Sequence, residues 1–172
     1  TAAIALLDRH RSLDDQKAWY HAADLAVTRF PGNPAVLLHA VDAAVARDAF
    51  KKAAGFARQL LAVDPINMPV RQRMIELQLA HARKQVRSGR ADLAAKSLEA
   101  ASEWERPDMP DPALRIGRAL VAVMAATDGD TEAAEKVRTA VAEAGGGTLG
   151  WFRMVLEASL MGWPAKRLQP LH

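Results

Sequence analysis

Five histidines, one pair of acids, a glycine triplet and a run of arginines are the residues of this chain that can do chemistry. His10, His21, His39, His81 and His172 show no H-E-x-x-H or other metal-ligand spacing, so neither a metal nor a cofactor is expected. His39 and Asp42, three residues apart, read as a side-chain pair on one helix. Gly145-Gly146-Gly147 lacks the Lys-Ser or Lys-Thr of a phosphate-cradling loop and reads as a helix terminator. Asp14 and Asp15 fall at a helix start, where acids complement the helix dipole. The absence of cysteine removes disulfides, thiolate zinc sites, iron–sulfur clusters and cysteine nucleophiles together. No catalytic residue emerges, and the expectation is a chain that is not an enzyme.

The arginines are the stronger candidates. The net charge of +3 is too small to imply a polyanion partner by itself, but its distribution is uneven. Between residues 69 and 90, Arg71, Arg73, Arg83, Lys84, Arg87 and Arg90 face only Glu76. The next stretch, 91–112, reverses the balance with Asp92, Glu99, Glu103, Glu105, Asp108 and Asp111 against Lys96 and Arg106. In a hairpin turning near Gly89, Arg71 and Arg73 return alongside Glu105 and Asp108. Arg83, Lys84, Arg87 and Arg90 are then left at the turn, either as a solvated helix end or as charge steering for an acidic partner. Nucleic acid is the weakest of the partners, because no recognition helix or stacking aromatics accompany the basic run.

These residues need a scaffold, and the composition describes one. In 172 residues there are 36 alanines but only nine aromatics, four Trp, four Phe and one Tyr, a balance that favours helix over strand. Half the residues are apolar and a quarter charged, which excludes wholesale disorder. No apolar run approaches the roughly 18 residues of a membrane helix. The first residue is Thr1, and no basic segment followed by an apolar stretch marks a secretory signal; a cytoplasmic location is the expectation, and whether Thr1 is the natural start is left open by the sequence.

Punctuation cuts the chain into helices. Ser12 with Asp15 predicts a capping pair for a helix over 13–30, closed by Phe30-Pro31-Gly32-Asn33. Asn33-Pro34 opens the next, with Leu37, Val41 and Val45 on one face. Asp48 caps a helix in which Phe50, Ala53, Ala57, Leu60 and Leu61 recur until Asp64-Pro65. Asn67 opens a longer helix over 68–88, with Val70, Met74, Leu77 and Val86 inward and Gly89 as its stop. Further helices are predicted over 91–104, 113–126, from an N-cap at Thr131 to 144, and over 149–161. The fold class is all-α, and short loops make consecutive helices antiparallel neighbours.

Pro31 and Pro65 are 34 residues apart, and so are Asn33 and Asn67. Within the unit 34–67, Leu37, Ala40, Ala44, Ala53, Ala57, Leu60 and Pro65 occupy positions 4, 7, 11, 20, 24, 27 and 32. In this pattern the chain resembles a tetratricopeptide repeat protein, with small Ala53 at the helix crossing. Val41, Ala44 and Ala57 depart from the Gly, Tyr and Phe usual at their positions. Ala94, Leu98 and Ala101 echo Ala53, Ala57 and Leu60 at a spacing of 41, two helical turns longer. The match is best over 14–105; residues 113–163 add a hairpin and an apolar capping helix, in one domain over 1–172.

The resemblance implies a right-handed stack of antiparallel helix hairpins, a non-enzymatic module that binds a peptide or helix on its concave face. The inner positions of two units supply the expected groove: Leu38, Asp42, Val45, Gln72, Glu76 and Leu79. None of these forms the Lys and Asn carboxylate clamp of chaperone-tail binders, so an apolar or amphipathic segment suits the groove better. The last helix is apolar around most of its circumference, and Trp151, Val155 and Leu160 are candidates for self-association into a homodimer, the alternative being burial under the tail 164–172.

Overall fold

A computed structural model describes residues 2–13, 15–125 and 131–163. Among them every regular element is a helix: α1 (Ala2–Ser12), α2 (Gln16–Arg29), α3 (Pro34–Ala46), α4 (Phe50–Val63), α5 (Met68–Arg87), α6 (Ala91–Ser102), α7 (Pro112–Ala125), α8 (Thr131–Glu143) and α9 (Gly147–Leu160). None is long and apolar enough to cross a membrane. The chain divides into two compact units, Thr1–Met74 and Ile75–His172, with the boundary inside α5.

In the first unit, α2 packs on α1 and α3, α1 also reaches α3, and α3 packs on α4. The side chains at these contacts explain the approach. Ala40 and Ala44 on α3 and Ala53 and Ala57 on α4 are all buried, and such small residues let two helices pack closely. Leu7, Trp19, Ala23, Val36 and Ala43 form a core cluster beside them. Asparagine caps set the starts of α3 and α5. The Asn33 side chain accepts from the Ala35 and Val36 amides, and Asn67 accepts from the Val70 amide at 3.1 Å.

Two local expectations are corrected here. Helix α1 precedes the first one expected, and Ser12 ends it, donating its hydroxyl to the Arg9 carbonyl. The cap of α2 is Asp15, which accepts from the Ala18 amide at 3.2 Å. Asp48 does not cap α4 either: it holds a φ of 57°, in a left-handed turn that aspartate tolerates, and Ala49 takes the cap position without a side-chain bond.

Asp24 ties α2 to the α3–α4 turn. Its carboxylate accepts from Arg47 at 2.9 and 3.2 Å and lies 2.8 Å from Lys52. Burial pushes this carboxyl up, but the hydrogen bonds and charges of Arg47 and Lys52 outweigh it, and the net result is a pKa below the ordinary 3.8. A depressed native pKa stabilises the fold above the unfolded value and stops doing so as pH falls through the native one. Asp24→Asn is therefore expected to cost up to about 1 kcal/mol at neutral pH, given its partial exposure. That cost should fade below the ordinary carboxylate range. Urea midpoints of the two proteins against pH check this, and a gap that persists at low pH contradicts it.

In the second unit, α7 packs on α6, α8 and α9, and α8 packs on α9. Leu98, Leu114, Ile116, Leu120, Met154 and Met161 are fully buried there. Buried Gly117 on α7 lies against Leu98, Met161 and Leu79. Asp111 repeats the capping device, its side chain accepting from the Leu114 amide at 3.0 Å just before Pro112. Gly89, at φ 73°, ends α5 as expected. In both units a helix contacts the next and the next but one (α1 with α2 and α3, α7 with α8 and α9), a packing pattern compatible with a helical repeat.

Helix α5 departs from a single inward face. Val70 and Met74 are buried on one side, whereas Ile75, Leu79, Ala82 and Val86 recur at i, i+4, i+7 and i+11 on another, ~130° around the axis at 100° per residue. Leu77, expected inward, is only half-buried.

Candidate interaction surface

The expected groove residues have different fates. Leu38 and Val45 stand half-buried on α3. Asp42, between them, is a structural joint: its carboxylate accepts from Arg11 of α1 at 3.2 Å and from Arg73 of α5 at 2.9 Å, with 14% of its side chain exposed. His39 does not pair with Asp42; its Nε2 lies 3.4 Å from Asp8 Oδ1. Gln72 and Glu76 are exposed on α5. Leu79, only 3% exposed, belongs to the core of the second unit and presents nothing to a partner.

The basic run is largely consumed by internal contacts. Arg83 donates through Nε and Nη2 to both carboxylate oxygens of Glu157 on α9, at 2.9 and 2.6 Å. The Glu157 side chain is 4% exposed. Arg87 donates to the Leu160 carbonyl at 2.6 Å. Lys84 and Arg90 remain exposed. Arg73 holds Asp42, Arg71 donates to the Pro65 carbonyl, Asp108 pairs with Arg106, and Glu105 accepts from the Asp111 amide.

These contacts fix the rotation of α9. Gly150, Met154, Glu157 and Ala158 face inward, and Arg153 donates to the Ala144 carbonyl at the end of α8. The opposite side carries Leu149, Phe152, Val155, Leu156 and Leu160, exposed by 39–64%. Of the three residues expected for self-association, Val155 and Leu160 lie on this face, while Trp151 is half-buried at its flank. Leu149, Phe152 and Leu156 complete it; their spacing of three and four residues was the available signal. Any cover from the tail 164–172 lies outside the described residues.

A second apolar surface, unanticipated from the sequence, lies between α1 and α2, where Leu6, Leu25 and Phe30 are about half exposed. Among the described residues no three His, Asp or Glu side chains are placed to hold a metal ion. No protein-family model matches the chain, and no curated protein or solved structure is detectably similar to it.

Proposed function

We propose that the chain is a tetratricopeptide-like stack of helix hairpins and a non-enzymatic protein-interaction module, binding a peptide or helix along the first helices of its hairpins. The observation that carries this reading is a pair of apolar side chains, Leu38 and Val45, left half-open on α3, a helix whose orientation is fixed by the bonds of Asp42 to Arg11 and Arg73. On α3, Leu38 and Val45 flank the clamped Asp42, and Arg73 reaching Asp42 brings the first turns of α5, with Gln72, alongside. A preformed surface of this kind binds at little ordering cost.

Panning a random-peptide library on the chain is expected to enrich a shared apolar motif. A Leu38→Glu, Val45→Glu variant should weaken the selected peptide at least tenfold while keeping its helical circular dichroism. A library with no common motif, or a peptide indifferent to the variant, counts against the reading.

A second reading, self-association through α9, is favoured by the uncharged character of its exposed face, which two copies can share without repulsion. Light scattering on the same sample separates the readings. A dimer that Phe152→Glu with Leu156→Glu converts to a folded monomer supports self-association, and a monomeric parent chain removes it.

A further inference from the structure

The surface between α1 and α2 is a groove with a volume of about 350 Å³. Ala3, Ala18, Ala22 and Ala26 line its floor, and Leu6, Leu25 and Phe30 supply its apolar walls. From Ala3 to His10 it runs about 10 Å along α1, two helical turns. An alanine floor between two antiparallel helices admits the ridge of a third helix, whose anchors recur at i, i+4 and i+7 over the same length.

The ionisable side chains that line this groove are all basic. The titratable groups that line it are His10, His21 and Arg29, and none of them has an ion pair among the described residues. Arg9, exposed and three residues from Leu6, and Lys17, exposed and four residues from His21, extend the rim by helical spacing. Of the described acids on or capping these two helices, Asp24 is paired with Arg47 and Lys52, Asp8 lies 3.4 Å from His39, and Asp15 keeps its charge while accepting from the Ala18 amide; none of the three lines the groove. An apolar channel with Arg29 and two histidines in its lining, Arg9 and Lys17 on its flanks and no described acid among its lining residues complements one kind of helix.

We infer that the α1–α2 groove binds an amphipathic helix whose apolar ridge is flanked by acidic residues. The apolar ridge fills the space between Leu6, Leu25 and Phe30, and carboxylates on its flanks meet Arg9, Lys17 and Arg29. Leucine anchors supply the affinity, and the charges set which helix is accepted and how fast it arrives. The inference rests on the interaction-module reading but uses a different surface from α3.

The test uses a synthetic 16-residue helical peptide with leucines at i, i+4, i+7 and i+11 flanked by glutamates, and a twin with every glutamate replaced by lysine. Fluorescence anisotropy is expected to show saturable binding of the glutamate peptide, at least tenfold tighter than its twin, weakening as salt rises. Leu25→Glu should abolish binding. Arg29→Glu, at an exposed position that leaves the fold intact, should weaken it about fivefold at low salt. No binding of the glutamate peptide, equal binding of both peptides, or binding indifferent to Leu25→Glu overturns the proposal. So does Leu25-dependent sedimentation with phosphatidylglycerol vesicles in preference to the peptide, which assigns the groove to an anionic membrane surface. If a display-selected peptide still binds at Leu38 and Val45, only the groove's assignment fails; if neither surface binds, the module reading fails with it.

Discussion

Gly150→Ala is expected to be among the most damaging single substitutions in the second unit. Gly150 is buried where α9 crosses α8, and a Cβ built there overlaps the Val141 carbonyl oxygen and lies 3.0 Å from Val141 Cγ1. The obstacle is backbone, which cannot rotate aside as a side chain can, so α9 must lift from α8. Overpacking of this kind costs about 3 kcal/mol, and at roughly 3 °C per kcal/mol for a chain of this length the melting temperature should fall by about 10 °C. Gly55 is the control: a Cβ there meets nothing within 4 Å, and as a helical glycine its replacement by alanine should be neutral or slightly stabilising. Thermal denaturation of the two variants reads the contrast. Equal melting temperatures would show that α9 is not seated on α8 at Gly150.

The start of α3 and both ends of α5 were legible because they are set by residues acting on their close neighbours along the chain. Asn33-Pro34, Asn67 and Gly89 act through their own neighbours, and a linear reading captures such effects. Helix α1 escaped because it lacks a readable pattern: Leu7 is its one buried residue, while Leu6 on it and Leu13 just after it are apolar but exposed. Asp48 misled because aspartate serves equally well as a cap and in a left-handed turn.

The candidate site was harder to read because its residues depend on distant ones. Counting 34 residues from α3 placed Leu79 on a partner face, which presumes that α5 keeps one inward side throughout. α3 has 13 residues and α5 has 20, and the later turns of α5 bury a different side from its first turns. Leu79 falls in the later part and becomes core. The charge run misled for a related reason. Charges were balanced within neighbouring segments, but the partner of Arg83 is 74 residues away on α9, and no periodicity announces such a pairing. What did survive is the apolar character of α9, because a helix apolar on most sides must leave some of that surface uncovered once one side is packed.

Arg83→Met should be more damaging than Glu157→Gln, and the difference follows from which charge is left behind. The Glu157 side chain is 4% exposed and that of Arg83 22%. Removing the guanidinium strands a carboxylate that water cannot reach, at a cost of about 3–5 kcal/mol. Glu157→Gln keeps the shape and one acceptor oxygen, and the remaining Arg83 can swing its head toward solvent, so about 1–3 kcal/mol is expected. The double variant Arg83→Met, Glu157→Met removes both charges and should recover most of the larger loss, because two apolar side chains need no desolvation of ions. Urea unfolding of the parent, Arg83→Met, the single Glu157→Met and the double variant closes the cycle and gives the coupling energy directly. Additive single losses would mean that the two side chains do not share a buried contact. The expected pattern has a functional corollary: Arg83 holds α9 in the rotation that displays Leu149, Phe152 and Leu156, so an arginine that looks like a surface charge in the sequence acts by fixing an apolar face.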